Sequence, residues 1–401
     1  MRARAVYYGL GVVTLLNFLN YIDRYILASV LPRIQSELEL TNTQAGLLAA
    51  AFLVAYFVTS PLFGALGDRL SRTRLMALGV MGWSAATAAA GIMRNFVQLM
   101  TARSFVGIGE AAYATIAPAL LSDYFPRSQR GRAFAVFYVA IPVGAACGYL
   151  LGAWIEPALG WRAAFYVVGL PGILLALLAL TIPDPPRGST EESGASSPAS
   201  IAATLEGFSR NFAYAGTVIG SAAYTFAVSG LAYWMPAYLE RVRGVELSQA
   251  NFLVGAVTAA AGLAGTAAGG YAGDLLGARI KHGHLWVCGL SSIAATVPTW
   301  LTLRVSSAPG YVVWLAVAEF LLFFSMGPGN VVIVNVVPAG ARAMAMAVSI
   351  FTIHLFGDAI SPPIIGAVAD MTDLATAVLI VPATIALSGL VWIATAVGAE
   401  E

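Results

Sequence analysis

Seven ionisable side chains interrupt long apolar stretches of this chain. A charge in such a place is costly unless it is paired or used. A carboxylate there can carry a proton, and an arginine there can hold an anionic head group through its planar fork of donors. The seven residues are Asp23, Arg24, Arg103, Glu110, Glu319, His354 and Asp358.

Helical spacing indicates which of these charges can pair. Arg103 and Glu110 are seven residues apart, so they share a helix face but differ in depth by about 10 Å. Asp23 falls at the depth of Arg103, and these two form the natural pair. Glu110 falls near the middle of the membrane, beside Asn17 and Asn20, with no obvious cation at its depth. We therefore predict that Glu110 and Asp23 carry protons, with a purely structural ion pair as the alternative.

The charges of the second half leave more alternatives open. His354 and Asp358 stand four residues apart on one helix face. They form either a structural hydrogen-bonded pair or a proton relay. Glu319 either faces a cavity or packs beside Trp314.

Composition places the chain in a bilayer. Hydrophobic residues make up 59% of the 401 residues, charged residues only 10%, and the mean hydropathy is +0.80. No soluble domain of this size could hide so much apolar surface. Apolar runs of about 20 residues can cross roughly 30 Å of hydrocarbon, and the sequence predicts twelve of them. They lie at 6–31, 43–66, 75–93, 96–121, 133–154, 163–182, 209–236, 249–272, 284–303, 311–336, 343–368 and 375–397.

Two loop signatures each occur twice. The loop around Asp68 recurs 206 positions later around Asp274, and the loop that begins at Pro126 recurs 212 positions later at Pro338. One loop signature in both halves of a membrane protein indicates two like bundles. The sequence therefore predicts an all-α integral membrane protein in which twelve helices form two six-helix bundles.

The two bundles are predicted at residues 1–183 and 207–401. The segment 184–206 between them is rich in Pro, Ser and Gly, which is typical of a linker. Thirteen of the lysines and arginines fall on the side of the N-terminus and six on the other side. By the positive-inside rule both termini are cytoplasmic. We expect a multi-pass protein of the cell membrane, which is the inner membrane in a bacterium.

A cleft between two bundles favours a transporter. The only lysine is Lys281, so the chain has no phosphate-binding loop for ATP. Its three histidines show no metal-binding spacing, and Cys147 and Cys288 read as inert core residues. We predict no cofactor, no metal and no nucleic-acid partner. A polytopic membrane enzyme and a channel are the alternatives from other classes.

Several motifs resemble those of a known family. The loop Gly64-x-x-x-Asp68-Arg69-x-x-Arg72 resembles motif A of the major facilitator superfamily, and Arg103-x-x-x-Gly107-x-Gly109-Glu110 resembles its fourth-helix motif. More narrowly, Asn20-Tyr-Ile-Asp23-Arg24-Tyr25 and Phe137-Tyr-Val-Ala-Ile-Pro142 are similar to the Spinster family. Members of that family are associated with export of lysophospholipids or sphingosine-1-phosphate, so the resemblance implies an amphiphilic, lipid-like substrate.

The repeated loops are predicted to act as a breakable latch. Carboxylates there can accept from helix amides, and arginines can bridge carboxylates or lipid phosphates. The alternative is a loop that only sets topology. The second copy has Leu275 and Ala278 where the first has Arg69 and Arg72, so it should latch less strongly. The predicted gating residues are Gly64, Asp68, Arg69, Arg72, Arg130, Asp274 and Arg342.

Together these features predict a monomeric secondary transporter that works by alternating access and is driven by protons. Its substrate is a lysophospholipid or a sphingoid phosphate, with a hydrophobic drug or an organic anion as the alternative. The predicted substrate-binding residues are Arg103, Asn17, Asn20, Arg24, Glu319, His354 and Asp358.

Overall fold

The computed structural model describes residues 3–186, 207–208, 210–337 and 342–399. Within its helices, the side chains of 3, 68, 127, 128, 130, 131, 135, 334, 342 and 343 lie outside the description. All regular structure in the described residues is helical. The first six helices are α1 (Ala3–Leu38), α2 (Asn42–Arg69), α3 (Arg72–Ala90), α4 (Phe96–Tyr124), α5 (Arg127–Leu159) and α6 (Trp161–Ala179). The next nine are α7 (Phe212–Arg241), α8 (Leu247–Gly277), α9 (Gly283–Arg304), α10 (Ala308–Phe323), α11 (Met326–Asn335), α12 (Arg342–Phe356), α13 (Ser361–Met371), α14 (Leu374–Ala377) and α15 (Ile380–Gly398).

Eleven segments of the described residues are long and apolar enough to cross a membrane. Twelve spans were expected, and the difference is α3. That helix has 19 residues, but it begins with Arg72-Thr-Arg74 and continues mostly in alanine, glycine, serine and threonine. The helix is long enough to cross a membrane. It is less apolar than the eleven segments that qualify as spans. A helix of small residues can be buried among its neighbours instead of facing lipid.

Three predicted spans of the second half are each built from two helices. The span 311–336 is α10 followed by α11, 343–368 is α12 followed by α13, and 375–397 is α14 followed by α15. Main-chain groups freed by such breaks must be satisfied within the protein. At the first break the hydroxyl of Tyr224 donates to the carbonyl of Leu322 at 2.6 Å. At the second break the main-chain N–H of Ala359 donates to the carbonyl of His354, and that of Ser361 donates to the carbonyl of Gly357, each at 3.1 Å.

The described helices form two compact units. Unit 1 comprises Met1–Ser193 and Val245–Gly255, and unit 2 comprises Gly194–Gly244 and Ala256–Glu401. The start of α8 thus belongs to unit 1. There the fully buried Asn251 donates through its amide to the carbonyl of Ser29 at 2.8 Å.

In unit 1, glycines on α5 let α1 approach closely. A methyl group built on Gly144 would lie 2.7 Å from the Cβ of Tyr21, and Gly148 is equally crowded one turn further along. Only glycine permits such close backbones. The contact fixes the rotation of α1, so that Asp23 and Arg24 reach α3 and α4 instead of α5.

In unit 2, α15 packs against both α7 and α9. The indole of Trp392 donates to the carbonyl of Thr217 at 3.1 Å, and the hydroxyl of Ser388 donates to the carbonyl of Gly220 at 2.8 Å. On the other side of α15, a methyl group built on Gly389 would lie 3.0 Å from the carbonyl oxygen of Gly289. Hydrogen bonds to main-chain carbonyls and close glycine contacts therefore hold this helix on two sides.

Candidate functional site

A partly buried ion pair, in which the Arg24 side chain is 20% exposed, joins α1 to α4. The Nε of Arg24 lies 2.9 Å from Oε2 of Glu110, whose side chain is fully buried. The expectation that Glu110 has no cation at its depth is wrong. The guanidinium of Arg24 ends a long, flexible side chain, so it can reach a carboxylate that depth counting along the helix places elsewhere. Glu110 is thus held as one member of a pair.

A second buried pair joins the same two helices. Nη1 of Arg103 lies 3.6 Å from Oδ1 of Asp23, and the two side chains are 2% and 1% exposed. The predicted pairing of these residues is confirmed. The hydroxyl of Thr87 on α3 donates to Oδ2 of Asp23 at 2.5 Å, so Asp23 is held by a neutral donor as well as by a cation.

An aromatic ring connects the two pairs. The guanidinium carbons of Arg24 and Arg103 lie 5.0 and 5.1 Å from the ring centroid of Phe52 on α2. Arg24 also lies 5.2 Å from the ring of Tyr21 and 5.4 Å from that of Tyr56. Each contact is within the range in which a ring face attracts a cation. Phe52 therefore stabilises both arginines at once, a role that nothing in the sequence had indicated.

Several buried atoms of this cluster keep unused hydrogen-bonding capacity. Within the described part of the chain, no hydrogen-bond partner is found for Nε or Nη1 of Arg103, Oε1 of Glu110 or Oδ1 of Asp23. The 3.6 Å distance between Arg103 and Asp23 is an ion pair but too long for a hydrogen bond. Buried polar groups in proteins are normally satisfied. The free donors of Arg103 can bind an anionic head group. The carboxylate oxygens of Glu110 and Asp23 can bind a proton.

The two predicted asparagines differ in their engagement. Asn17 is buried, and its amide donates to the main-chain carbonyl of Phe137 on α5 at 3.0 Å. Asn20 is 2% exposed, and its Nδ2 has no partner in the described residues. Asn17 therefore ties α1 to α5, whereas Asn20 keeps an amide that can donate elsewhere.

The predicted residues of the second half lie in unit 2 in two separate places. Glu319 on α10 is 8% exposed, and its Oε1 accepts from the hydroxyl of Thr258 on α8 at 3.2 Å. His354 and Asp358 form a hydrogen-bonded pair with 2.8 Å between Nδ1 and Oδ2. That pair stands at the end of α12, where the span breaks before α13. The pairing alternative is confirmed for these two residues, and a relay stays a prediction.

Residues 13–362 match the model described as the Major Facilitator Superfamily. The chain belongs to the major facilitator superfamily. Proteins of this superfamily are transporters, so the prediction of a transporter instead of an enzyme is confirmed.

Within the superfamily, proteins similar to this chain include Spinster proteins. The chain is 32% identical to "Protein spinster homolog 3" of Danio rerio over 92% of this chain and 77% of that protein. It is 31% identical to the "Sphingosine-1-phosphate transporter SPNS2" of Danio rerio over 99% of this chain and 85% of that protein. It is 33% identical to "Protein spinster homolog 1" of Homo sapiens over 90% and 72%. The predicted Spinster resemblance is confirmed.

A solved structure shares the fold. The crystal structure of a bacterial homolog to the human lysosomal transporter Spinster, in an inward-facing and unoccupied conformation, superimposes with a TM-score of 0.84. The match covers 99% of this chain and 96% of that chain at 23% identity. The predicted twelve-helix fold of the major facilitator superfamily is thus confirmed.

The superfamily's repeated loops are only partly described. The side chains of Asp68, Arg130 and Arg342 lie outside the described residues. Arg69 is exposed at the end of α2, and nothing lies within 4 Å of a methyl group built on Gly64. Asp274 is 87% exposed, with its Oδ1 4.0 Å from Nε2 of His284. The latch stays a prediction.

Arg72 is the best-defined arginine of the first superfamily loop. Its guanidinium pairs with Asp123 at the end of α4 and with Asp184 beyond α6, where Nε to Oδ1 is 2.8 Å. It also donates to the carbonyl of Pro185 at 2.5 Å. The prediction that these arginines bridge carboxylates is confirmed for Arg72. All its partners lie in unit 1, and they fix the first residues of the predicted linker to that unit.

We expect Arg72→Lys to lower the free energy of unfolding by about 2–3 kcal/mol, because an ammonium cannot form the same set of charge-assisted hydrogen bonds. Thermal unfolding of the purified protein, followed by tryptophan fluorescence, measures this. Arg74→Lys is the matched control, since Arg74 is exposed two residues away. Equal melting temperatures for the two variants would show that the Arg72 network adds no stability.

Proposed function

We propose that this chain is a proton-coupled secondary transporter that moves an amphiphilic lipid with a phosphate-bearing head, either a lysophospholipid or a sphingoid phosphate. The observation that carries the proposal is the buried cluster of two ion pairs, in which Arg103 has donors without partners. Relatives named as sphingosine-1-phosphate transporters support the lipid substrate.

Arg103 is the proposed head-group ligand. A guanidinium matches phosphate through two parallel hydrogen bonds, which makes arginine the residue of choice for this anion. Its present counter-ion, Asp23, is 3.6 Å away and holds it without a hydrogen bond. A phosphate can therefore compete with Asp23 for the guanidinium.

The two carboxylates of the cluster, Asp23 and Glu110, together bind one proton in each transport cycle. A proton on Asp23 removes the charge that Arg103 faces and frees the arginine for the phosphate. A proton on Glu110 removes the charge that Arg24 faces, which weakens the link between α1 and α4. Both steps change how strongly helices of unit 1 hold each other. Proton binding thereby favours one conformation over another, which is what alternating access requires.

The remaining predictions complete the proposal. The protein works as a monomer in the cell membrane. Both termini lie in the cytoplasm, a placement supported by the distribution of lysine and arginine between the loops. The loops around Asp68 and Asp274 latch the transporter. The apolar segment Phe320-Leu-Leu-Phe-Phe324 and its surroundings suit the acyl tail.

Transport by proteoliposomes tests this function. The purified protein is reconstituted, a pH gradient is imposed, and uptake of sphingosine-1-phosphate, lysophosphatidylcholine and the hydrophobic cation tetraphenylphosphonium is compared. We expect saturable uptake of the phosphate-bearing lipids that requires the gradient and stops on addition of a protonophore. The proposal fails if the cation is the better substrate, or if lipid uptake does not depend on the gradient.

A further inference from the structure

The internal repeat makes Glu319 the counterpart of Glu110. The two repeated loops are offset by 206 and 212 positions, and Glu319 follows Glu110 by 209. Glu110 lies on α4, the fourth span of the first half, and Glu319 lies on α10, in the fourth span of the second half. Each half therefore places one buried carboxylate at the corresponding position.

The helices around the two carboxylates also correspond. A methyl group built on Gly107 of α4 would overlap the carbonyl of Phe52 on α2. In the second half, a methyl group on Gly265 of α8 would overlap the carbonyl of Phe320 on α10. Thus α2 packs tightly on α4, and α8 packs tightly on α10, each through a glycine.

The residues that face the carboxylates differ between the halves. Phe52 precedes Asp68 by sixteen residues, and Thr258 precedes Asp274 by sixteen. The first half thus has an aromatic ring that supports two arginines, and the second half has a hydroxyl group at the same place. Glu110 faces the cation of Arg24, whereas Glu319 faces the neutral donor of Thr258.

No cation compensates Glu319 within the described part of the chain. Its Oε1 accepts from Thr258, and its Oε2 is buried without a partner. The titratable groups on neighbouring helices are otherwise engaged. On α7 the hydroxyl of Tyr224 donates to the main-chain carbonyl of Leu322. On α9 the thiol of Cys288 donates to the main-chain carbonyl of Ser325 at 3.7 Å. On α8, Asp274 lies at the far end and is 87% exposed.

An ionised carboxylate in such surroundings is unfavourable. A buried charge that is neither paired nor fully hydrogen-bonded is costly, and a neutral carboxyl group costs far less. The single hydroxyl of Thr258 offers one donor only. Glu319 therefore has to bind a proton whenever it is buried as seen here, and it can release that proton when water reaches it.

We propose that Glu319 is a second proton-binding group, so that each transport cycle moves two protons, one with the Glu110 cluster and one on Glu319. The proposal rests on the proposed proton coupling and specifies its stoichiometry. The proton comes from water on one side of the membrane, binds Oε2 of Glu319, and returns to water on the other side. No other atom changes bonding in this step.

The number of protons can be measured at zero net flux. Proteoliposomes hold a tenfold gradient of sphingosine-1-phosphate, the membrane potential is clamped at zero, and the pH difference that stops net lipid movement is found. One pH unit across the membrane balances a tenfold lipid gradient for each proton that moves with the lipid. The pH difference that stops net movement is therefore about half a unit for two protons per lipid and about one unit for one proton. We expect about half a unit for the wild-type protein and about one unit for Glu319→Gln.

Thr258→Val is the matched control. It removes the hydroxyl donor but keeps the carboxyl group, so the balancing pH difference should stay at about half a unit. An unchanged balance point in Glu319→Gln would show that Glu319 never releases its proton. An unchanged balance point together with a raised KM for sphingosine-1-phosphate, but not for lysophosphatidic acid, would show that Glu319 binds the ammonium of the substrate instead. Either result overturns the inference.

The wild-type protein separates this inference from the proposed function. A balance point at about one pH unit in the wild-type protein would mean one proton per lipid, so that the second site is wrong while proton coupling stands. Lipid movement that no pH difference can balance would contradict proton coupling itself.

Discussion

Glu110→Gln is expected to reduce pH-gradient-driven lipid accumulation to the level of vesicles without protein. Glutamine has the same shape and can still accept a hydrogen bond from Arg24, but it cannot gain or lose the proton. The ion pair of 2.9 Å between Arg24 and Glu110 would then no longer form and break with protonation, so the conformational change would not follow the gradient. Even with Glu319 intact, this first-half step is required. Accumulation of labelled sphingosine-1-phosphate in proteoliposomes measures the effect.

Glu156→Gln provides the comparison for this change. Glu156 forms an ion pair with Arg33 at 2.8 Å, and the two side chains are 12% and 41% exposed. The same carboxylate-to-amide change is thus made in a pair of similar length outside the cluster, and it should leave accumulation unchanged. If Glu110→Gln accumulated lipid as the wild type does, Glu110 would be a structural residue only.

Arg103→Lys is expected to lower kcat/KM for sphingosine-1-phosphate ten- to hundredfold, which is about 1.4–2.8 kcal/mol. The lysine keeps the positive charge beside Asp23, but it loses the planar fork that binds phosphate through two hydrogen bonds. It also loses the contact of the guanidinium with Phe52, whose ring centroid lies 5.1 Å from the guanidinium carbon. Initial rates over a range of lipid concentrations give this value.

Arg33→Lys tests whether the loss is specific to Arg103. Arg33 also pairs with a carboxylate, but it lies outside the cluster and is 41% exposed, so its substitution should change kcat/KM little. Normal transport of phosphate-bearing lipids by Arg103→Lys would contradict the head-group model. Arg103 would then be a residue that only orients α4 against α1.

Much of the fold was predictable because a bilayer restricts what a spanning segment can be. Apolar length locates the spans, and the repeated loops around Asp68 and Asp274 reveal the two halves. The third span, α3, was predicted despite its low hydropathy, because it lies between two strongly apolar spans. At Pro328 and Pro362 the sequence left a kink and a break equally open, because a proline within a span is compatible with either.

The charged cluster was predictable only in part. Depth counting paired Asp23 with Arg103 correctly. It missed the pair of Arg24 with Glu110, because counting treats each side chain as a point on its helix. Thr87 and Phe52 carried no signal at all, since single threonines and phenylalanines are ordinary residues of apolar helices.

Thr258 could have been found from the sequence. The offset of 206 that relates Asp68 to Asp274 also relates Phe52 to Thr258. Following the repeat through whole helices, with an offset that changes from 206 to 212 along the chain, aligns the two halves. The aligned halves differ at positions such as Phe52 and Thr258, which lie beside the charged residues of each half.

The position of Phe52 has a consequence for titration of the first-half cluster. Both guanidinium groups contact this one ring, at 5.0 and 5.1 Å, so the two ion pairs are held close together and the charge of each acts on the carboxylate of the other. Groups coupled in this way release protons in macroscopic steps that belong to the set and not to single residues. The pH profile of transport therefore reports Asp23 and Glu110 jointly, and substitution of either residue shifts the step that the other displays.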